Sequence, residues 1–308
     1  MDQKFLTEII ENGEYSTETQ VELKKCIGQV LEALLVIKNP GEMKRASGNE
    51  LNFLGDIHGN LPGALKAMDH MWVLDRNGNW SNSGKTLVQT GNVIDRKEYS
   101  LATILYFTTL KKQVSQNKEN GQKDTGNLIN LLGNHEQYNV RYEDSCASDT
   151  PVYDLNAAKA IRVVLEKEAL KGTYDLMYAD NKKNIISTHG EFSKQLLREL
   201  VQEISSQNNI HLVSSDKVGR LSKNNLYKFL DDNGLSKENI ANHLNEILHK
   251  EGINGPTVFS IYQQVEYTGP RGTLDRESLS KETFKTELGK GCKEIVKSIG
   301  LGWRKKSQ

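Results

Sequence analysis

The chain has 308 residues, enough for one large domain with a sizeable core, and its 40 basic and 40 acidic residues cancel to zero formal charge. No basic excess argues for nucleic acid, and no apolar run approaches the ~20 residues of a membrane span, so a soluble protein is expected. Hydrophobic residues make up 36%, which fits a polar surface with long loops.

Three cysteines, Cys26, Cys146 and Cys292, are odd in number and far apart. They read as reduced thiols of a cytoplasmic-type protein, or of one that works in a host cytosol after secretion without an N-terminal mark. Thr17 and Gln20 form an expected capping box for a helix to about Lys38, ended by Pro40 and Gly41. Leu23, Cys26, Ile27, Val30, Leu31, Leu34 and Leu35 recur at helical spacing, so one face should dock on a core. Leu51–Leu54 reads as a strand running into Gly55-Asp56-Ile57-His58-Gly59, with a helix from about Pro62 to Met71. Thr86–Gln89 is a second strand, Gly91–Lys97 a loop, and Tyr99–Leu110 a helix. The polar stretch Lys111–Asn127 reads as a solvated loop. Leu128–Leu132 is a third strand before Gly133-Asn134-His135-Glu136, and Asn184–Ser187 a fourth before Thr188-His189-Gly190. Ser214–Gly252 reads as helical throughout, an insertion beside the site.

Four strands thus end in loops that carry His, Asp or Asn. Ligand sites of α/β sheets lie at the carboxyl ends of strands, so these loops can meet. Asp56 and His58 alternate onto one side of their turn, and a carboxylate with an imidazole suits Mn, Fe or Zn better than Ca. Asn134 offers an amide oxygen, His189 can complete a second metal, and His135 can serve as a general acid oriented by Asp95. Arg96 offers a bidentate fork for phosphate oxygens. His70 and His211 read as structural or exposed, and His243 and His249 as surface-helix residues.

Together, Gly55–Gly59, Gly91-Asn92-Val93-Ile94-Asp95-Arg96, Gly133–Glu136 and Thr188–Gly190 resemble the successive signatures of the calcineurin-like metallophosphoesterases. The Asn-His-Glu ending resembles the phosphoprotein phosphatase branch. Val73–Ser81 and Arg141-Tyr142 look like the Shewanella-like bacterial phosphatases, and effector phosphatases of the Legionella Wip type look alike in the same way. The resemblance covers about residues 50–190. It implies an α/β fold of two packed β-sheets flanked by helices, and two divalent ions, manganese foremost, with iron or zinc as alternatives. It implies Asp56 and His58 on the first metal, Asn134 and His189 on the second, position 92 as the bridge, Asp95–His135 as the acid pair, and Arg96 on phosphate. Asn134 would also touch substrate. Arg271, in Tyr267-Thr268-Gly269-Pro270-Arg271, is the candidate second phosphate-binding arginine, with Arg220 as the fallback. One domain over 1–308 is expected, with N-terminal helices (1–45), a motif-bearing part (46–200), a helical insertion (201–260) and a diverged C-terminal part (261–308).

Two positions depart from the family pattern. Asn92 stands where the family has a bridging aspartate, and two dications ~3.5 Å apart repel by roughly 20 kcal/mol even at an effective dielectric of ~20. The family's last ligand, a histidine after a late strand, is absent: Lys293–Lys297 reads as that strand, but Ser298-Ile299-Gly300-Leu301 follows. The expected function is hydrolysis of phosphate monoesters, on a phosphorylated protein. The alternatives are a pseudophosphatase that binds a partner, a dinucleoside polyphosphate hydrolase, and an engineered trap at position 92.

Overall fold

The computed structural model describes residues 1–37, 50–81, 83–122, 125–141, 155–192, 196, 199–200, 203–204, 206, 234–263 and 265–266. These belong to one compact unit, Met1–Glu266. The residues expected to form a late strand, 293–297, together with Arg220, Arg271, His211, Cys146 and Cys292, lie outside the described residues.

A three-stranded parallel sheet anchors the site. Its strands are β1 (Leu51–Leu54), β2 (Thr86–Gln89) and β3 (Asn127–Asn130), in that spatial order. Leu51 pairs with Thr86, and Thr86 with Asn127, so all three strands end level. Every residue of β2 is buried, as a central strand covered on both faces requires. The third strand is shorter than the sequence predicts. Past Asn130 the chain keeps a single parallel bridge, Leu131 to Asp175, before it turns into the site.

Helices α1 (Gln3–Glu11), α2 (Thr17–Leu34), α3 (Leu61–His70), α4 (Ser100–Glu119), α5 (Asn134–Arg141) and α6 (Leu155–Leu170) surround this sheet. The N-cap of α2 is Ser16, one residue before the expected Thr17: its Oγ accepts the Thr19 N–H, while Gln20 Nε2 donates to the Tyr15 carbonyl. The helix ends at Leu34, and Leu35, expected in the core, is 80% exposed. The heptad-like run outlasts the surface that the helix covers.

The expected loop at Lys111–Asn127 is largely helix, because α4 continues to Glu119. Lys, Gln and Glu are good helix formers, so a polar stretch can extend a helix that its apolar half has already nucleated. Val114 is buried, and Lys111 Nζ reaches the Leu128 carbonyl at 2.8 Å. The first half of α4, Ser100 to Leu110, is buried on every side, with Tyr106 and Phe107 among the largest enclosed side chains. Glu168 is fully buried but satisfied: Tyr15 Oη and Thr173 Oγ1 each donate to it at 2.7 Å. This ties the α1–α2 turn to α6.

Two antiparallel pairs complete the described strands, β4 (Tyr178–Asp180) with β5 (Ile185–Ser187) and β6 (Glu191–Phe192) with β7 (Val265–Glu266). Helices α7 (Lys237–Glu251) and α8 (Pro256–Gln263) lie between β6 and β7 in sequence. Of the stretch 214–252 expected to be helical, 214–233 lies outside the described residues, 234–236 is not helix, and Ser236 caps α7 by a capping box with Asn239. Helix α7 packs on α6 and β4. His243, expected at the surface, has a side chain only 14% exposed, 3.5 Å from Glu203.

His249 sits with Nε2 3.2 Å from Asp175 Oδ1 and 2.9 Å from the Tyr174 carbonyl. The Asp175 hydrogen bond raises its pKa above the ordinary value, against the effects of burial and of Lys111. A raised histidine stabilises the fold below its unfolded value of about 6.5, and that gain is lost as pH climbs through the folded value. His249→Gln is therefore expected to flatten the fall in melting temperature across the neutral range. Thermal unfolding of both proteins at a series of pH values measures this, and parallel profiles contradict it.

Candidate active site

The loops after β1, β2, β3 and β5 meet. Asn92 is the knot: its carbonyl accepts N–H bonds from Ile57 (3.0 Å) and His58 (2.9 Å), and the Val93 carbonyl accepts one from Gly59 (2.8 Å). The Asp56–His58 turn is thereby sewn to the second loop by its backbone. His58, Asn92, Asp95 and Arg96 all take left-handed φ values of 50°, 55°, 71° and 63°. So many strained residues in two adjoining turns mark a site held by its surroundings.

Glu136 does much of that holding. Its side chain is fully buried, and its carboxylate accepts four backbone N–H bonds: Asn92 at 2.9 Å, Gly133 at 2.8 Å, Val93 at 2.8 Å and Ile94 at 3.3 Å. Gln89, also buried, hooks the start of the loop through both its amide atoms to Gly91. Gly91 itself has no room for a side chain, because a Cβ would lie 2.6 Å from His189 Nδ1 and 2.8 Å from Gly133 Cα.

Asp95 and His135 form a close pair, Oδ2 to Nδ1 at 2.6 Å. Asn139 donates to both Asp95 oxygens, at 3.2 and 3.1 Å, and to the His135 carbonyl. Spacing alone did not assign Asn139 or Glu136 a task. Asn139 is one helical turn beyond His135, so an i, i+4 partner could have been foreseen. Glu136 left no such signal, since its partners are distant main-chain groups. The His135 and His58 rings lie edge to face with centroids 4.7 Å apart. Arg96 stands on the exposed rim of the same loop.

Asp56 is about half exposed. Its Oδ2 is 3.5 Å from His58 Nε2 and accepts a 3.2 Å hydrogen bond from Asn92 Nδ2. Burial opposes ionisation of Asp56, but the hydrogen bonds from His58 and Asn92 and the nearby imidazoles outweigh it and hold the carboxyl below the usual aspartate value.

The chemistry of the donors tests whether metal ions fit. His58 Nδ1 lies 3.1 Å from the Ile94 carbonyl and His189 Nδ1 2.7 Å from the Thr90 carbonyl, so each ring can keep a proton on Nδ1 and give up the one on Nε2. Each Nε2 faces an oxygen: Asp56 Oδ2 at 3.5 Å and Asn134 Oδ1 at 2.9 Å. Each pair can share a proton, and where that proton is displaced the two acceptors left facing each other can take a cation instead. Ligand bonds of ~2.1 Å place neighbouring donors roughly 3.0–3.4 Å apart, and the two pairs fall about 0.1 Å outside that range, one above it and one below. Carbonyl-tethered imidazoles are the usual support of such ligands. The donors divide unevenly, with one carboxylate in the first pair and none in the second. Among the described residues, no group gathers three or more His, Cys, Asp or Glu side chains around one point.

A profile of calcineurin-like phosphoesterases matches residues 51–268, most of the chain. The chain belongs to the calcineurin-like phosphoesterase family. An uncharacterized protein of Schizosaccharomyces pombe is 28% identical over 181 residues, 54% of this chain and 51% of that protein. Shewanella-like protein phosphatase 1 of Plasmodium berghei is 34% identical over 87 residues, 28% of this chain and 22% of that one. This calcineurin-like chain thus spans about half the length, or less, of these relatives. Among solved structures, a cold-active protein tyrosine phosphatase of a psychrophilic Shewanella species is 18% identical, with a TM-score of 0.35, over 80% of this chain and 64% of that one. No described helix of this calcineurin-like chain is long and apolar enough to cross a membrane.

Proposed function

We propose that the protein hydrolyses phosphate monoesters, with a phosphorylated protein as substrate. The observation that carries this is the Asp95–His135 contact at 2.6 Å beside two imidazoles, His58 and His189, whose Nε2 atoms face Asp56 and Asn134 oxygens. A partner-binding remnant has no use for an oriented proton donor. Protein phosphatases among the relatives support the substrate class.

Bound divalent ions would supply charge neutralisation of the phosphoryl group and a nucleophile formed from water near neutral pH. Asp56 and His58 would hold the first, and Asn134 and His189 are the donors open to a second, more weakly held one. The remaining work falls to the chain's own groups. Asp95 takes the Nδ1 proton of His135 as a hydrogen bond, so Nε2 is the atom that hands a proton to the departing alcohol or phenol oxygen. Asn139 holds Asp95 by both oxygens, which fixes the imidazole's tilt. Arg96, on the loop rim, pairs with phosphate oxygens and orients them for in-line displacement.

The test is release of inorganic phosphate from a phosphopeptide and from p-nitrophenyl phosphate, with Mn2+ and after EDTA treatment. Metal-dependent turnover of both is expected. Turnover of diadenosine tetraphosphate alone would move the substrate class to dinucleoside polyphosphates. Partner capture unchanged by EDTA and by His135→Ala, with no turnover, would point to a pseudophosphatase.

A further inference from the structure

Asn92 is pinned in one orientation, and that orientation withdraws it from metal coordination. Its Oδ1 accepts the His135 N–H at 3.1 Å. That N–H belongs to the first turn of α5, where backbone donors lack partners within the helix, so Asn92 acts as a cap supplied from another loop. Its Nδ2 donates to Asp56 Oδ2 at 3.2 Å. Reversing the amide would set NH2 against the His135 N–H and the carbonyl against the Asp56 carboxylate, two donors together and two acceptors together. Nor can the residue swing away whole. Its N–H is bonded to Glu136, its carbonyl accepts from Ile57 and His58, and a Cβ on the adjacent Gly133 would lie 2.4 Å from Asn92 Oδ1, so the side chain is closely enclosed.

The amide NH2 therefore stands against Asp56 on the side where a bridging oxygen would be needed. It satisfies the carboxylate as a cation would, without one. An aspartate at this position would keep one oxygen on the α5 cap and aim the other at Asp56, two carboxylates face to face that need an ion between them. With asparagine, the Asp56–His58 pair keeps a carboxylate and an imidazole, whereas the Asn134–His189 pair is left with two neutral donors and no shared charge to offset a second dication.

We propose that the protein binds a single divalent ion per chain, held by Asp56 and His58, and that the Asn92 amide is the positioning group that excludes a tightly bound second one. This deepens the phosphatase reading and rests on it for the kind of ion involved. The test is ion counting with Mn2+ on the intact chain, by equilibrium dialysis with metal analysis, together with electron paramagnetic resonance of the bound manganese. One ion is expected in the unmodified protein, with the spectrum of an isolated centre. Asn92→Asp is expected to bind two, with the signature of a coupled pair, and to melt lower than the unmodified protein without metal but gain more from Mn2+. His189→Ala should still bind one, and Asp56→Asn none. Zero or two ions in the unmodified protein overturn the proposal, as does a folded Asn92→Asp that stays at one. Retention of the ion by Asp56→Asn with its loss from His189→Ala also overturns it. If Asn92→Asp fails to fold, the count in the unmodified and His189→Ala proteins still decides. Turnover is a separate readout: an active protein with two ions sinks only this inference, and an inert protein with one sinks only the phosphatase reading.

Discussion

Replacing His135 by alanine is expected to lower kcat by about 100- to 10,000-fold, the range that a positioned general acid contributes. The prediction has structure behind it, because the ring is not merely near the site. Its Nδ1 is 2.6 Å from Asp95 Oδ2, and Asp95 is itself gripped by Asn139. The imidazole thus needs no reorganisation before it gives up a proton. The loss should depend on the leaving group. An alkyl phosphate, whose alcohol departs poorly without a proton, should suffer most, and p-nitrophenyl phosphate, which leaves as a stable anion, least. Steady-state rates on both substrates give the comparison. The fold should be unharmed, because the structural bond from this residue, to Asn92 Oδ1, comes from its backbone N–H. Equal losses on the two substrates would mean that His135 acts on binding and not on the departing oxygen.

Glu136→Ala is expected to lower stability by about 3–5 kcal/mol and abolish turnover together. Hydrogen bonds to a charged acceptor contribute roughly 1.5–3 kcal/mol each, and a stranded buried donor costs ~1–3 kcal/mol. Four N–H groups converge on this one carboxylate, so the estimate holds even if some find water in the space left behind. The second loop would lose the tie that keeps Asn92 left-handed and Asp95 under His135. Glu136→Gln keeps the volume but sets an NH2 against backbone donors, so it should fall between alanine and the native residue. Urea unfolding monitored by circular dichroism measures the difference. A loss below about 1 kcal/mol in both variants would show that the loop carries its own geometry.

Some of this architecture was legible before any coordinates. Thr86–Gln89 announced itself because a fully covered strand reads as a short apolar run between turn signals, and the strand-end loops declared where chemistry-bearing side chains would gather. The tail of α4 was not legible. Beyond Leu110 the residues carry little apolar period, and it takes the burial of Val114, the reach of Lys111 and the bonds of Gln113 to Trp80 and Asn79 to show that the stretch is anchored. Leu35 misled in the opposite sense, since periodicity says which residues could share a face but not where the neighbouring surface stops. Within the site, the positions of Asp56, Asn92 and His189 follow from strand endings. The task of Glu136 does not, because hydrogen bonds to main-chain groups leave no trace in the pattern of side chains.

The His189 and His58 imidazoles take their orientation from the same short piece of backbone, His189 from the Thr90 carbonyl and His58 from that of Ile94. The two rings are therefore gauged from one ruler. If the turn shifts as a body during thermal breathing, both rings travel with it and the gap between them is preserved. Tolerance in this centre is thus set locally, within five consecutive residues, and not by how well distant helices keep station.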